Sequence, residues 1–219
     1  MSVLNKLKIE GRIALGPTHV DSIVITPFLK KREALDLDSI DLRLGSRFLL
    51  PSSWQQPFFS PDESSSRSLH LETHVPLGKY LVVPAHQTVL GATLEFIKLP
   101  FDLSGEIFTK SSVARTFIVV ETAPWIHPGY RGCLTLEIAN VSNTPVLLYP
   151  GRLIGQLILL ENTGGTMTEK LSGKYIGPVY PEAPIFKSPV DDLGELGIAE
   201  TWVIPKPSLQ SYSLSARRD

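Results

Sequence analysis

The chain has 219 residues, 42% of them hydrophobic, which suits one ordinary domain with a packed core, or one domain with a long tail. Lys and Arg number 21 against 22 Asp and Glu, for a formal net charge of -1. No charge excess draws such a chain to a nucleic acid polymer or an anionic membrane, so any phosphate site has to be local. The single cysteine, Cys133, excludes an intramolecular disulfide and the paired thiolates of a structural zinc site. The N-terminal MSVLNKLKIEGRIALG has no signal-peptide pattern, and no run is long enough to span a membrane. The expectation is a soluble, cytoplasmic protein.

Eighteen prolines and sixteen glycines cut the sequence into segments better suited to strands than to long helices. From Val3 to Glu10 the apolar spacing Val3, Leu4, Leu7, Ile9 predicts a small peripheral helix, ended by Gly11. Strands are predicted at Ser39 to Leu50, Tyr80 to Val83, Thr88 to Leu99, Gly105 to Thr109, Phe117 to Thr122, Gly132 to Asn140, Pro145 to Tyr149 and Leu153 to Glu161. That spacing predicts a mainly β fold, a barrel or jelly-roll, rather than βαβ units.

Between 51 and 68 the polar QQPFFSPDESSSRS reads as a mobile surface loop. Residues 162–184, rich in Gly, Pro and polar side chains yet carrying Lys174, Tyr175 and Tyr180, read as a segment able to order over a ligand. Residues 1–190 are expected to form the β domain. The extension 191–219 is expected to be partly flexible, with an edge strand possible at Thr201 to Ile204.

Three stretches hold the chemistry. In TKSSVAR, Thr109 to Arg115, two cations flank adjacent hydroxyls at the mouth of a short helical turn, an arrangement suited to a polyphosphate and equally to a capped helix start with solvated charges. In Cys133 to Ala139, alternation sends Leu134, Leu136 and Ile138 to one face and Cys133, Thr135, Glu137 and Ala139 to the other. Glu137 is then a surface carboxylate if that face meets solvent, or a proton shuttle if it lines a pocket. The turn from Ile126 to Gly132 sets an imidazole, His127, and a phenol, Tyr130, just before that strand, although a structural turn explains Pro128 and Gly129 as well.

Taken together, TKSSVAR, ETAPWIHPGYRGCLTLEIAN (121–140) and LLYPGRLIGQLILLE (147–161) resemble, in order and spacing, the central motifs of the dCTP deaminase and dUTPase superfamily. IDLRLGSRF (40–48) and VLGATLEFIKLP (89–100) resemble the deaminase branch. The resemblance implies a distorted, dUTPase-like β-barrel assembled as a homotrimer, with each active site shared between neighbouring subunits. It implies a dCTP deaminase releasing dUTP and ammonia, in which Glu137 activates the water. Lys110, Ser111, Ser112, Arg115, Ala123, His127, Tyr130, Thr135 and Lys174 are the implied substrate contacts, and the backbone at Thr122 and Ala123 surrounds the base. Magnesium is implied only as the triphosphate's counterion, and the zinc ligands of other nucleobase deaminases are missing from the sequence.

Lys110 stands where deaminases usually carry arginine, His127 where the superfamily has aspartate, and Pro178 where a glutamine is usual. His127 weighs against a pure dUTP pyrophosphatase, whereas Tyr130-Arg131-Gly132 and Gly155-Gln156-Leu157 favour that activity or a bifunctional enzyme. A non-catalytic deoxynucleotide-binding protein is the third reading. Trp125 is open between base pocket and subunit contact.

Overall fold

The computed structural model describes residues 2–29, 34–52, 70–120, 123–163 and 177–184. Residues 1–50 and 72–182 form one compact unit; 51–71 with 183–219 form a second, of which only 51, 52, 70, 71, 183 and 184 are described. In chain order the elements are β1 (Ser2–Val3), α1 (Lys6–Ala14), β2 (Val24–Thr26), β3 (Ser39–Arg43), β4 (Arg47–Pro51), β5 (His70–His74), β6 (Leu81–Val83), β7 (Thr88–Lys98) and β8 (Leu103–Thr109). They continue as α2 (Ser111–Ala114), β9 (Ile118–Val120), β10 (Trp125–Ile126), β11 (Arg131–Asn140), β12 (Val146–Leu148) and β13 (Leu153–Glu161). The loop expected at 51–68, most of the segment at 162–184, and the C-terminal extension with its edge strand lie outside the described residues.

The chain is mainly β, as its punctuation predicts: a distorted barrel that does not close, built from antiparallel sheets. One sheet runs β1-β13-β8-β10, with β3 also paired to β13. The other runs β5-β4-β7-β11-β9, with β2 also paired to β7, and β12 pairs with β6 as a two-stranded ribbon. The strand expected over 39–50 is two strands, because Leu44 leaves the ladder to bridge Thr93 and Gly45 donates its N–H to Ala92 O at 2.7 Å.

The N-terminal helix starts and ends later than its apolar spacing predicts. Asn5 caps it by accepting from Lys8 N at 3.1 Å, and the helix passes through Gly11 to Ala14. A glycine inside a helix costs about 1 kcal/mol relative to alanine. That cost is offset by burial of Ile9 and by Arg12, whose guanidinium binds the Asp102 carboxylate and donates to Asp21 O at 3.0 Å. Gly16, at φ +85°, follows the end of the helix.

β11 occupies the middle of its sheet, between β7 and β9. Leu134, Leu136 and Ile138 are buried, while Thr135, Glu137 and Ala139 are half-buried on the other face. The alternation breaks at Cys133, which is also buried: the β7 register jumps from Phe96 opposite Cys133 to Ala92 opposite Thr135. Thr93 Oγ1 closes this bulge by accepting from Leu134 N at 2.9 Å while donating to Glu95 O at 2.8 Å. The core beneath contains Ile9, Ile40, Leu42, Phe48, Ile97 and Ile138, all fully buried.

Gly177 to Glu182 straps the first half of β11. Gly177 N donates to Arg131 O at 2.8 Å and Cys133 N to Pro178 O at 2.7 Å. The strap lies so close to Gly132, at φ +152°, that a Cβ there would come 2.5 Å from Pro178 Cδ. Gly132→Ala combines that overlap with an unfavourable φ and is expected to cost about 2 kcal/mol. Urea unfolding measures it, and an unchanged midpoint would mean that the strap does not hold in solution.

Candidate functional site

A cleft of about 660 Å³ opens beside α2, floored by β12 and the start of β13, and it gathers Arg43, Lys110, Ser112 and Arg152. β8 delivers Lys110 to this place: its backbone N–H donates to Ile154 O at 3.0 Å, and its carbonyl accepts from Val113 N and Ala114 N to start α2. Ser111, Ser112 and Arg115 are exposed on this single turn. The hydroxyls and cations of TKSSVAR therefore sit at a helical turn, as expected, but only Lys110 and Ser112 face the cleft.

Two buried carboxylates hold two of the cleft's three cations. Asp41, 7% exposed, accepts from Lys110 Nζ at 2.5 Å. Its Oδ1 has no hydrogen-bond partner among the described residues. Glu95, 1% exposed, takes Arg43 twice: from Nη1 at 3.1 Å and from the backbone N–H at 2.8 Å. Burial pushes the Glu95 carboxyl above its usual range, against the pull of the Arg43 hydrogen bonds and charge. Sequence reading missed Asp41, Arg43, Glu95 and Arg152. A charged pair inside the apolar run IDLRL was the one available sign.

Glu137, His127, Tyr130 and Thr135 do not line this cleft. Glu137 lies opposite Leu90 on β7, on the half-buried face shared with Thr135. Tyr130 packs against the core and donates its hydroxyl to Cys133 O at 2.8 Å. Burial pushes its phenol well above the usual tyrosine value, with Cys133 and Glu182 adding in the same direction. Glu182 N donates to Thr135 Oγ1 at 3.3 Å, and Glu182 Oε2 is buried without a partner among the described residues.

His127 is exposed in a turn closed by Tyr130 N to His127 O at 3.2 Å, and Ala123 is exposed as well. Trp125 is 42% exposed on β10, opposite Glu106. Lys174, Tyr175 and Thr122 lie outside the described residues. Among the described residues no three His, Cys, Asp or Glu side chains come together as metal ligands, and no helix is long and apolar enough to cross a membrane.

One chain thus presents two separate groups: a cationic cleft with a hydroxyl, and a strand face bearing a carboxylate. The cleft depends on its buried ion pairs. Removing one partner of such a pair strands the other charge, so Glu95→Ala is expected to lower the unfolding free energy by about 3 kcal/mol. Denaturant unfolding reads this, and a loss below about 0.5 kcal/mol would show that Arg43 does not rely on Glu95.

A family model described as dCTP deaminase-like matches residues 5–162. The dCTP deaminase of Halorubrum lacusprofundi is 35% identical over 161 residues, 73% of this chain and 77% of its own. A protein of Coprothermobacter proteolyticus named dCTP deaminase, dUMP-forming, is 36% identical over 165 residues, 74% of this chain and 86% of its own. Among solved structures, the 2'-deoxycytidine 5'-triphosphate deaminase of Agrobacterium tumefaciens is similar in fold, with a TM-score of 0.55 at 24% identity, over 73% of this chain and 48% of that one. The order of motifs around β8, β11 and β13 and a match spanning most of the chain agree: this protein belongs to the dCTP deaminase-like family.

Proposed function

We propose that the chain is a hydrolytic dCTP deaminase in which Glu137 moves the protons. The observation that carries this reading is the side of β11 from which Glu137 projects, away from the sealed core and beside Thr135. Relatives at 35% and 36% identity carry the name dCTP deaminase, which supports it further.

In this mechanism the Glu137 carboxylate takes a proton from a water as that water attacks C4 of cytosine, and passes it to N3. The tetrahedral C4 then expels its amino group as ammonia, the same carboxyl carrying the proton of the C4 hydroxyl to the departing nitrogen as the C4 carbonyl forms. dCTP and water become dUTP and ammonia. Ser111, Ser112, Lys110 and Arg115 hold the triphosphate, which brings magnesium as its counterion. Ala123, His127, Tyr130, Thr135 and Lys174 complete the nucleoside and phosphate contacts.

Because the cationic cleft and Glu137 do not share a lining in one chain, we place the complete site between copies in a homotrimer. One copy gives the phosphate motif and another gives β11. Such an assembly also covers the half-buried face around Glu137, excluding water from the reacting ring.

A second reading is favoured by the Coprothermobacter protein's name, dUMP-forming. Here the enzyme carries the nucleotide on to dUMP by also releasing pyrophosphate. Incubation with dCTP, measuring ammonia and pyrophosphate separately, decides between them: ammonia alone gives dUTP as the product, and both in equal amounts give dUMP. Glu137→Gln is expected to lower ammonia release at least about 100-fold while dCTP still binds. Rapid ammonia release by that variant would remove Glu137 from the role assigned to it.

A further inference from the structure

We propose that Arg152 is a further substrate-binding residue, the cation that engages the triphosphate tail of the nucleotide in the cleft beside α2. This rests on the reading of the chain as a triphosphate-using enzyme. It adds a contact that the motif TKSSVAR does not contain.

Three cations line the cleft, but two are already committed: Lys110 to Asp41 and Arg43 to Glu95. An ion pair formed at these distances attracts an incoming anion less than a free cation does, so Lys110 meets the phosphates chiefly as a hydrogen-bond donor. Arg152 is exposed, and among the described residues its guanidinium has no carboxylate partner. It is therefore the cleft's uncompensated positive charge, on a chain whose formal charge is -1 overall.

The backbone holds Arg152 firmly while leaving its side chain uncommitted. Arg152 N donates to Tyr149 O at 3.2 Å, Arg152 O accepts from Leu44 N at 2.9 Å, and the preceding Gly151 N donates to Leu44 O at 2.7 Å. Gly151, at φ +84°, makes the turn that precedes Arg152, and both residues line the cleft. With the backbone anchored, the ordering that an arriving anion demands falls on the side chain alone.

The rest of the lining fits a phosphate chain. Ser112 offers a hydroxyl with no partner among the described residues, while the Thr116 hydroxyl is already donated to Val113 O at 2.7 Å. Ser112 is then the donor that joins Arg152, whose planar guanidinium grips two phosphate oxygens at once. A volume of about 660 Å³ is in the range of small-molecule sites.

The test uses the full chain and two probes, inorganic tripolyphosphate for the anion site and dCTP for the reaction. Arg152→Ala is expected to weaken tripolyphosphate binding, read by calorimetry, about tenfold, and to raise KM for dCTP by a similar factor with a smaller change in kcat. Arg152→Lys should recover part of both, and the salt dependence of tripolyphosphate binding should be shallower in Arg152→Ala than in the unaltered protein. Thermal unfolding of the variants confirms that an exposed side chain was removed without loss of the fold.

Unaltered protein that fails to bind tripolyphosphate overturns the inference, as does Arg152→Ala with unchanged tripolyphosphate affinity, or with weakened tripolyphosphate binding but unchanged KM. Ammonia release from dCTP by the unaltered protein is scored separately. Tripolyphosphate binding through Arg152 without ammonia release, with dCTP affinity then standing in for KM, would sustain the anion site and overturn the deaminase reading instead.

Discussion

The two-sidedness of β11 is the constraint on which the functional account depends. A strand that buries Leu134, Leu136 and Ile138 against one core has no freedom to turn Glu137 inward, because a one-residue slip would expose all three. Each of those side chains contributes roughly 1.5–3 kcal/mol by leaving water, so the three together outweigh what a single carboxylate contact could return. Glu137 is therefore presented by the packing of its neighbours, and the bulge at Thr93 completes the arrangement by satisfying Leu134 N.

The cleft follows a different logic. Its cations stand beside buried carboxylates contributed by β3 and β7, strands that sequence separates by about fifty residues. Burying such pairs is costly, and replacing them by apolar residues is often neutral or stabilising. Their presence beside a polar cleft is consistent with a structure that holds Lys110 and Arg43 in place before any ligand arrives. The cost is an Asp41 oxygen that is buried without a partner among the described residues.

Much of the fold was legible because turn residues and alternation are local signals. The strands at 88–98, 131–140 and 153–161 follow directly from them, and the short turn at 111–114 from Ser-Ser after a strand. The two-residue strands β1 and β10 were not legible, since their pairing with β13 and β8 is decided by distant partners. Gly11 misled because tertiary contacts of Ile9 and Arg12 override helix propensity. Alternation places Glu137 on the face of β11 away from the core, and its role is what the resemblance implies, while Arg43 and Glu95 were missed because an ion pair across 52 positions leaves no periodic trace. Pro178, noted only as a departure from a usual glutamine, turns out to be packed on Gly132 and bonded to Cys133.

The central claim is that a carboxylate on one copy's β11 works on a nucleotide whose phosphates are held by another copy's α2. It is tested most directly by mixing two variants, Glu137→Gln and Arg115→Ala, each expected to lose most ammonia release alone, after joint denaturation and refolding. Recovery of ammonia release from dCTP in the mixture is the predicted result, since some sites then combine an intact β11 with an intact phosphate motif. A mixture as inactive as its components would contradict the account and place both halves of the chemistry within a single chain.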